Sequence, residues 1–129
     1  MIAVGTDILK VSRIEAVVGR LGDKFVRRIL TPIEVAEYEA TSLPLRLLAK
    51  RFAAKEAVAK SLGTGIGRGV SWQDIRVHHD DNGAPLVELS GGALEACTRR
   101  GGDSVALSIS DEAEYVLAFA VLWCSEAPI

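Results

Sequence analysis

The chain has 129 residues, of which 49% are hydrophobic and 25% are charged, and its formal net charge is −2. This length and this hydrophobic share allow a buried core and predict one domain over residues 1–129. The slightly acidic balance excludes the overall basicity that is typical of nucleic-acid-binding domains.

The sequence also bears on the compartment. The N-terminal segment MIAVGTDI has no basic region and no long apolar run, so we expect no signal peptide. The apolar residues 115–124 are too few to span a bilayer. Cys97 and Cys124 lie in apolar surroundings without metal-ligand spacing, which predicts buried free thiols in a reducing compartment. We therefore expect a soluble cytoplasmic protein.

The chain begins with a predicted buried strand at residues 2–5, after which Asp7 emerges. Taken alone, Asp7 is best explained as the cap of a turn. A carboxylate at the end of a strand is nevertheless well placed to take part in chemistry.

Two capping boxes predict the helices that follow. Residues 12–15 have the form S-x-x-E and precede apolar residues at helical spacing, which predicts a helix over 12–22. Residues 31–34 read T-P-I-E, with proline at the first helical position, and predict a short helix to about residue 41.

The first helix and the residues just after it carry most of the basic side chains of this part of the chain. They form a stripe that includes Arg13, Val17, Arg20, Lys24, Arg27 and Arg28. Such a stripe is either a solvated face or a surface that docks an acidic protein through electrostatic steering.

The longest predicted helix begins near residues 43–45 and runs to Leu62, because Gly63 is a natural stop. Arg51 and Lys55 fall within its apolar sector. Buried cations are costly unless they are paired, so we expect acidic groups, a subunit interface or an anionic ligand beside them.

The other side of this helix carries Glu56 and Lys60 among alanines, which allow another backbone or a ligand to come close. The simplest interpretation of Glu56 and Lys60 is a solvated pair four residues apart.

A glycine-rich loop, GTGIGRG at residues 63–69, follows the long helix. Alternating glycines leave backbone N–H groups free to approach an anion, and Arg68 adds a positive charge. The spacing matches neither the dinucleotide fingerprint nor the P-loop. Together with Asp7, this segment predicts a phosphate-handling site.

The C-terminal half is predicted to hold a capped turn, a hairpin closed by an Asn-Gly turn, a helix and a final strand pair. Their predicted bounds are 71–74, 75–79 with 86–89, 91–100, and 104–110 with 115–123. The tail from residue 125 is expected to be frayed. The predicted fold is α+β, a small, largely antiparallel sheet packed against helices with the long helix central. Its strongly apolar last strand favours self-association.

His78 and His79 precede two aspartates, a grouping that suggests metal ligands. Adjacent residues of a strand point to opposite faces, so we do not expect this pair to chelate a metal.

Several motifs occur in a fixed order along nearly the whole chain: G-T-D-I, R-I-E, R-I-L-T, R-F-A-A-K-E-A-V-A-K-S-L-G-T-G-I-G, N-G-x-P and S-I-S-D-E. This series resembles the holo-acyl-carrier-protein synthases, the short bacterial 4′-phosphopantetheinyl transferases. The resemblance implies that family's fold. It also implies transfer of 4′-phosphopantetheine from coenzyme A to a serine of apo acyl carrier protein, in fatty acid biosynthesis. Adenosine 3′,5′-bisphosphate would be released. Mg²⁺ and a homotrimer with sites between subunits are further implied, without nucleic acid or membrane partners.

The resemblance also implies roles for individual residues. It places metal carboxylates at Asp7 and Glu56 and a lysine near the transferred phosphate at Lys60. Some members carry histidine where this chain has Asp111, which leaves the general base open between Asp111, a metal-bound water and a carboxylate acting through water. The implied coenzyme A contacts are Arg51, Lys55, Lys60, Gly63, Thr64, Gly65 and Pro85. The implied carrier contacts are Arg13, Val17, Arg20, Lys24 and Arg28.

Mg²⁺ prefers one or two carboxylates completed by waters and phosphate oxygens, which Asp7 and Glu56 match. One alternative is a non-catalytic module that binds a nucleotide or an acidic protein, but simple anion binding gives no reason for two carboxylates. The other is a structural oligomer in which Arg51 and Lys55 only pair across an interface.

Overall fold

The computed structural model describes residues 1–125 of the chain. Its strands are β1 (Ala3–Lys10), β2 (Ile75–His79), β3 (Pro85–Leu89), β4 (Ser104–Asp111) and β5 (Tyr115–Trp123). Its helices are α1 (Val11–Leu21), α2 (Asp23–Ile29), α3 (Pro32–Ala40), α4 (Pro44–Ser61) and α5 (Gly91–Arg99), with a 3₁₀ turn at Trp72–Asp74. The predicted frayed tail lies outside the described residues except for Ser125, whose backbone N–H and hydroxyl donate to Asp103.

The strands form one antiparallel sheet in the order β1-β5-β4-β3-β2, which confirms the predicted α+β fold. The first strand is longer than predicted, because every residue from Ala3 to Lys10 pairs with β5. Asp7 therefore lies within a strand, opposite Ala118, and not in a turn.

Helix α4 packs on β1, which forms one edge of the sheet, and on β5. The predicted site residues Glu56 and Lys60 belong to this helix and so come to the β1 edge. Ala49, Ala53 and Ala57 are completely buried. A Cβ atom added to Gly5 would lie 2.1 Å from the carbonyl oxygen of Ala57. The small side chains thus serve as predicted, and the backbone that comes close is that of β1.

The predicted capping box at Ser12 is wrong. Helix α1 begins at Val11, and Lys10 occupies the N-cap position without a side-chain hydrogen bond. Strand β1 runs directly into the helix, and the N–H of Val11 donates to the carbonyl of Glu114 in the β4–β5 turn at 2.8 Å. That carbonyl takes the place of a side-chain cap.

The other predicted caps are confirmed at Thr31, which starts α3, and at Ser71, which starts the 3₁₀ turn. Helix α2 was not predicted. Gly22 adopts a φ of 66° and separates it from α1, which breaks the basic stripe into two helices.

Among residues 1–125, no helix has the length and apolarity needed to cross a membrane. Cys97 and Cys124 are free thiols, as predicted. Cys97 is buried, but Cys124 is exposed because it follows the last residue of β5, so its predicted burial is wrong.

Candidate active site

Three predicted catalytic residues lie together where α4 crosses β1. Asp7 projects from β1 on the side of the sheet that faces α4, and Glu56 and Lys60 lie one turn apart on that helix. The ammonium of Lys60 donates to the Thr6 carbonyl at 2.8 Å and to Asp7 Oδ1 at 3.3 Å. The Lys60 side chain therefore contacts β1, and the simple interpretation of Glu56 and Lys60 as a solvated pair does not hold.

The two carboxylates of this cluster are partly buried and close enough to repel each other. Burial raises the pKa of Asp7, although the hydrogen bond and charge of Lys60 partly oppose this shift. Burial also raises the pKa of Glu56, and the charge of Asp7 raises it further, while Trp72 and Lys60 oppose the shift. Two carboxylates in such surroundings favour the binding of a cation.

Sequence reasoning missed Trp72, which belongs to the 3₁₀ turn. Its indole Nε1–H donates to Glu56 Oε1 at 3.2 Å. The guanidinium of Arg28 lies 5.6 Å from the centre of the indole ring, and the Phe52 ring lies 6.2 Å away on centroids. The capped turn was visible in the sequence, but the contact with Glu56 depends on tertiary packing.

The glycine loop after α4 differs from its prediction. The N–H groups of Gly63, Gly65 and Gly67 donate to the carbonyls of Lys60, Ala59 and Val70. None of these three amides is free to bind an anion, because those of Gly63 and Gly65 satisfy carbonyls at the end of α4 and that of Gly67 pairs with Val70.

The loop is also held by α5 and the residue that follows it. Arg100 Nη1 donates to the Ser61 carbonyl at 3.1 Å. A Cβ on Gly63 would lie 2.6 Å from the same nitrogen, and Gly63 has a φ of 82°. The backbone conformation therefore favours glycine at position 63, and a larger residue would also displace the Arg100 guanidinium.

The two cations in the apolar sector of α4 are paired inside the chain. Lys55 is completely buried and donates to Glu34 Oε1 at 2.6 Å and to the carbonyls of Ile29 and Trp72. An ammonium has three N–H donors, and all three of Lys55 are used within the chain. The predicted contact of Lys55 with coenzyme A is therefore wrong.

Arg51 is also buried and lies 3.4 Å from Glu37. The expected acidic partners are thus confirmed for both cations. They lie in the same chain, which removes the basis for pairing across an interface.

Two predicted residues lie away from the cluster within this chain. Asp111 pairs with Arg46 at 3.3 Å, and Arg46 is in the first turn of α4 whereas Lys60 is in its last turn. Pro85 begins β3, which β4 and β5 separate from β1.

The predicted carrier-binding side chains lie on α1 and α2. Arg13, Arg20, Lys24 and Arg28 are exposed and Val17 is partly buried. Arg13 is close enough to Asp7 for its charge to lower the pKa of that carboxyl, so the basic surface adjoins the site. A surface cavity of about 750 Å³ opens beside Arg28, Trp72 and Ile66.

Within the described residues, no group of three or more His, Cys, Asp or Glu side chains could hold a metal ion. His78 and His79 accordingly belong to no such group. A cation at Asp7 and Glu56 would need further oxygen ligands from solvent or substrate.

Comparison with known proteins gives matches along nearly the whole chain. The family model of the 4′-phosphopantetheinyl transferase superfamily matches residues 3–120. A holo-acyl-carrier-protein synthase from Shewanella denitrificans is 52% identical over 95% of this chain and 97% of its own. The crystal structure of the synthase from Neisseria meningitidis has a TM-score of 0.89 and 43% identity, covering 95% of this chain and 98% of its own. The Helicobacter pylori synthase in complex with coenzyme A has a TM-score of 0.80 and 34% identity, covering 92% and 98%.

Proposed function

The chain belongs to the 4′-phosphopantetheinyl transferase superfamily, within it to the holo-acyl-carrier-protein synthases, and we propose that Asp7, Glu56 and Lys60 carry its reaction. The reaction transfers 4′-phosphopantetheine from coenzyme A to a serine of apo acyl carrier protein and yields adenosine 3′,5′-bisphosphate. The observation that carries the proposal is the pair of partly buried carboxylates next to one lysine, at the crossing of β1 and α4. The alternative of a non-catalytic binding module is not favoured.

The donor set fits Mg²⁺. Both carboxylates are disfavoured as bare anions by burial, and their mutual repulsion would be relieved by a divalent cation. Mg²⁺ commonly takes one or two carboxylates and completes its shell with waters and phosphate oxygens. When bound by Asp7 and Glu56, Mg²⁺ would supply charge neutralisation at the pyrophosphate of coenzyme A.

The chain's own residues have three tasks: to stabilise charge on the transferred phosphate, to bind coenzyme A and to bind the carrier. Lys60, held by the carbonyl of Thr6, neutralises charge that develops on the transferred phosphate. The carrier serine hydroxyl gives its proton to a general base as its oxygen bonds to that phosphorus, and the bond from the phosphorus to the bridging oxygen of the pyrophosphate breaks, so that adenosine 3′,5′-bisphosphate leaves. Phosphoryl transfer depends mainly on positioning and electrostatic stabilisation, which a lysine anchored on a rigid helix can provide.

Coenzyme A is proposed to lie along the loop that follows α4, against Gly63, Thr64 and Gly65. The close packing of Arg100 on Gly63 supports this assignment, because it brings a positive charge to the loop. Arg51 has little exposed surface, so its contact with coenzyme A is proposed to be indirect, through the order it gives to α3 and α4.

Carrier binding is proposed on the basic surface of α1 and α2. Arg13 on this surface is close enough to Asp7 for its charge to act on that carboxyl, so an acidic carrier bound there would bring its serine near the Asp7 cluster. Arg13, Arg20, Lys24 and Arg28 supply the charge and Val17 an apolar contact.

We propose that the chain forms a homotrimer through the outer face of the sheet, the face that does not contact α4. On this face, Val4, Ile8, Leu117, Phe119 and Trp123 are all more than 38% exposed. Ile8 pairs with Leu117 and Thr6 with Phe119, so these side chains form one continuous patch. Exposed apolar patches of this kind mark interfaces. In such an assembly, Asp111 and Pro85, which lie away from Asp7 in their own chain, would complete the site of a neighbouring subunit.

We also propose a cytoplasmic location and a role in fatty acid biosynthesis. The buried free thiol of Cys97 supports a reducing compartment.

A Mg²⁺ titration of the transfer rate with the wild-type protein and with Asp7→Asn and Glu56→Gln tests the proposed function. We expect the rate to require Mg²⁺ and both variants to need much more of it. A wild-type rate that is the same in chelator would contradict the metal role of these carboxylates.

A further inference from the structure

Helix α4 holds Trp72 through two consecutive residues. Lys55 Nζ donates to the backbone carbonyl of Trp72 at 3.0 Å. The indole Nε1–H of Trp72 donates to Glu56 Oε1 at 3.2 Å. The buried cation thus fixes the backbone of the 3₁₀ turn, and the turn in return contacts the neighbouring carboxylate.

The turn itself is held firmly from the other side. The Gln73 side-chain amide donates to the carbonyls of Arg27, Arg28 and Leu30 at 2.9, 3.2 and 2.7 Å. Ser71 and Asp74 form a reciprocal capping box around it. A donor on a segment with this many attachments has little freedom to move.

The ring of Trp72 is also packed. Phe52 lies against it with ring centroids 6.2 Å apart, and the Arg28 guanidinium covers it at 5.6 Å. The direction of the indole N–H is therefore set before any ligand arrives. Within residues 1–125, this N–H is the one hydrogen-bond donor to the Glu56 carboxylate.

We propose that Trp72 is a positioning residue, which holds one carboxylate oxygen of Glu56 so that the other is presented to a divalent cation shared with Asp7. The inference rests on the proposed metal role of Glu56. Hydrogen bonds that orient a metal-binding side chain commonly raise metal affinity, because the ligand does not have to be ordered on binding. Lys55 has a role in this arrangement that is not coenzyme A binding, because its ammonium anchors the backbone of the turn that carries the indole.

The test uses Trp72→Phe, which keeps an aromatic ring but removes the N–H donor. Binding of Mn²⁺, as a probe for Mg²⁺, is measured by electron paramagnetic resonance on the full-length protein with saturating coenzyme A. We expect the affinity for Mn²⁺ to fall about 10-fold or more. The Mg²⁺ concentration that gives the half-maximal transfer rate should rise by a similar factor.

Gln73→Met is the matched control, because it removes the three carbonyl contacts of the same turn and leaves the indole donor in place. It should lower the thermal unfolding midpoint and weaken Mn²⁺ binding much less than Trp72→Phe does, because Phe52, Arg28 and Lys55 still hold the indole in place. If Gln73→Met weakens Mn²⁺ binding as much as Trp72→Phe, the order of the turn and not the indole N–H is responsible, and the proposal is overturned.

Two further results distinguish a wrong role for Trp72 from a wrong metal site. Wild-type Mn²⁺ affinity in Trp72→Phe would overturn the role of Trp72 and leave the metal site intact. Failure of the wild-type complex to bind Mn²⁺ would overturn the metal site and this inference with it.

Discussion

The ammonium of Lys55 lies 2.6 Å from Glu34 Oε1, and neither side chain has any exposed surface. Glu34 also accepts the backbone N–H groups of Thr31 and Val77, so one carboxylate joins α3, α4 and β2. This ion pair is a structural connection at the centre of the chain.

Lys55→Met should therefore lower the free energy of unfolding by about 3–5 kcal/mol, because it leaves a buried carboxylate without its counter-charge. Chemical denaturation measures the change. Lys50→Met, on the same helix but only partly buried, should change it by less than about 0.5 kcal/mol. Equal effects of the two substitutions would contradict the structural role of the pair.

Glu56→Gln should stabilise the protein at pH 8 in the absence of metal. Because burial raises the pKa of Glu56, the folded state binds more protons than the unfolded state as the pH rises through the interval between the ordinary and the raised pKa. The free energy of unfolding of the wild type falls over that interval, and glutamine cannot ionise.

Thermal unfolding in chelator, from pH 4 to pH 8, tests this. The two proteins should differ little at the acid end, and the variant should be the more stable at the alkaline end. A variant that is less stable than the wild type at pH 8 would show that ionised Glu56 is favoured in the folded state.

Lys60→Ala should lower turnover by about 10²-fold, because in the proposed reaction Lys60 is the preorganised charge next to the transferred phosphate. Its folded stability should change little, since Lys60 is half exposed. Single-turnover kinetics with saturating coenzyme A and carrier measure the chemical step. Lys50→Ala serves as the control and should retain turnover, and unchanged turnover in Lys60→Ala would remove the proposed role.

The sequence was informative where local rules dominate. The capping boxes at Thr31 and Ser71, the bounds of the strands at 75–79 and 115–123, and the long helix ending before Gly63 all follow from short-range patterns. The proximity of Asp7, Glu56 and Lys60 was supplied by the resemblance of the motifs to a family, and periodicity alone did not predict it.

The errors and omissions concern tertiary contacts. The start of α1 at Val11 is set by a carbonyl of the distant β4–β5 turn. The burial of Lys55 against Glu34 joins residues 21 positions apart, and the contact of Trp72 with Glu56 joins residues 16 positions apart. No pattern within one helix or turn encodes such partners.

The basic surface gives a prediction about the carrier. Arg20→Ala combined with Lys24→Ala should raise the KM for apo acyl carrier protein about 5-fold at low ionic strength, with a smaller change in kcat, since both side chains are exposed rim charges. The difference from the wild type should shrink as salt is added. Arg99→Ala, an exposed cation on α5, is the control, and an equal effect of that substitution would argue against a specific docking surface.

The outer face of the sheet gives a prediction about assembly. Phe119→Asp places a charge in the middle of the apolar patch and should convert the proposed trimer to monomers in sedimentation-velocity experiments. Leu94→Asp introduces the same charge at an exposed leucine of α5, outside the patch, and should leave the assembly unchanged. A wild-type protein that sediments as a monomer would contradict the proposed trimer.

The most direct test of the central claim is intact-mass spectrometry of an apo acyl carrier protein incubated with this protein and coenzyme A, with Mg²⁺ and with chelator in parallel. We predict a gain of one phosphopantetheine on the carrier with Mg²⁺ and none with chelator. The gain should be strongly reduced in Glu56→Gln. Absence of any gain with several carriers, despite measurable coenzyme A binding, would contradict the account.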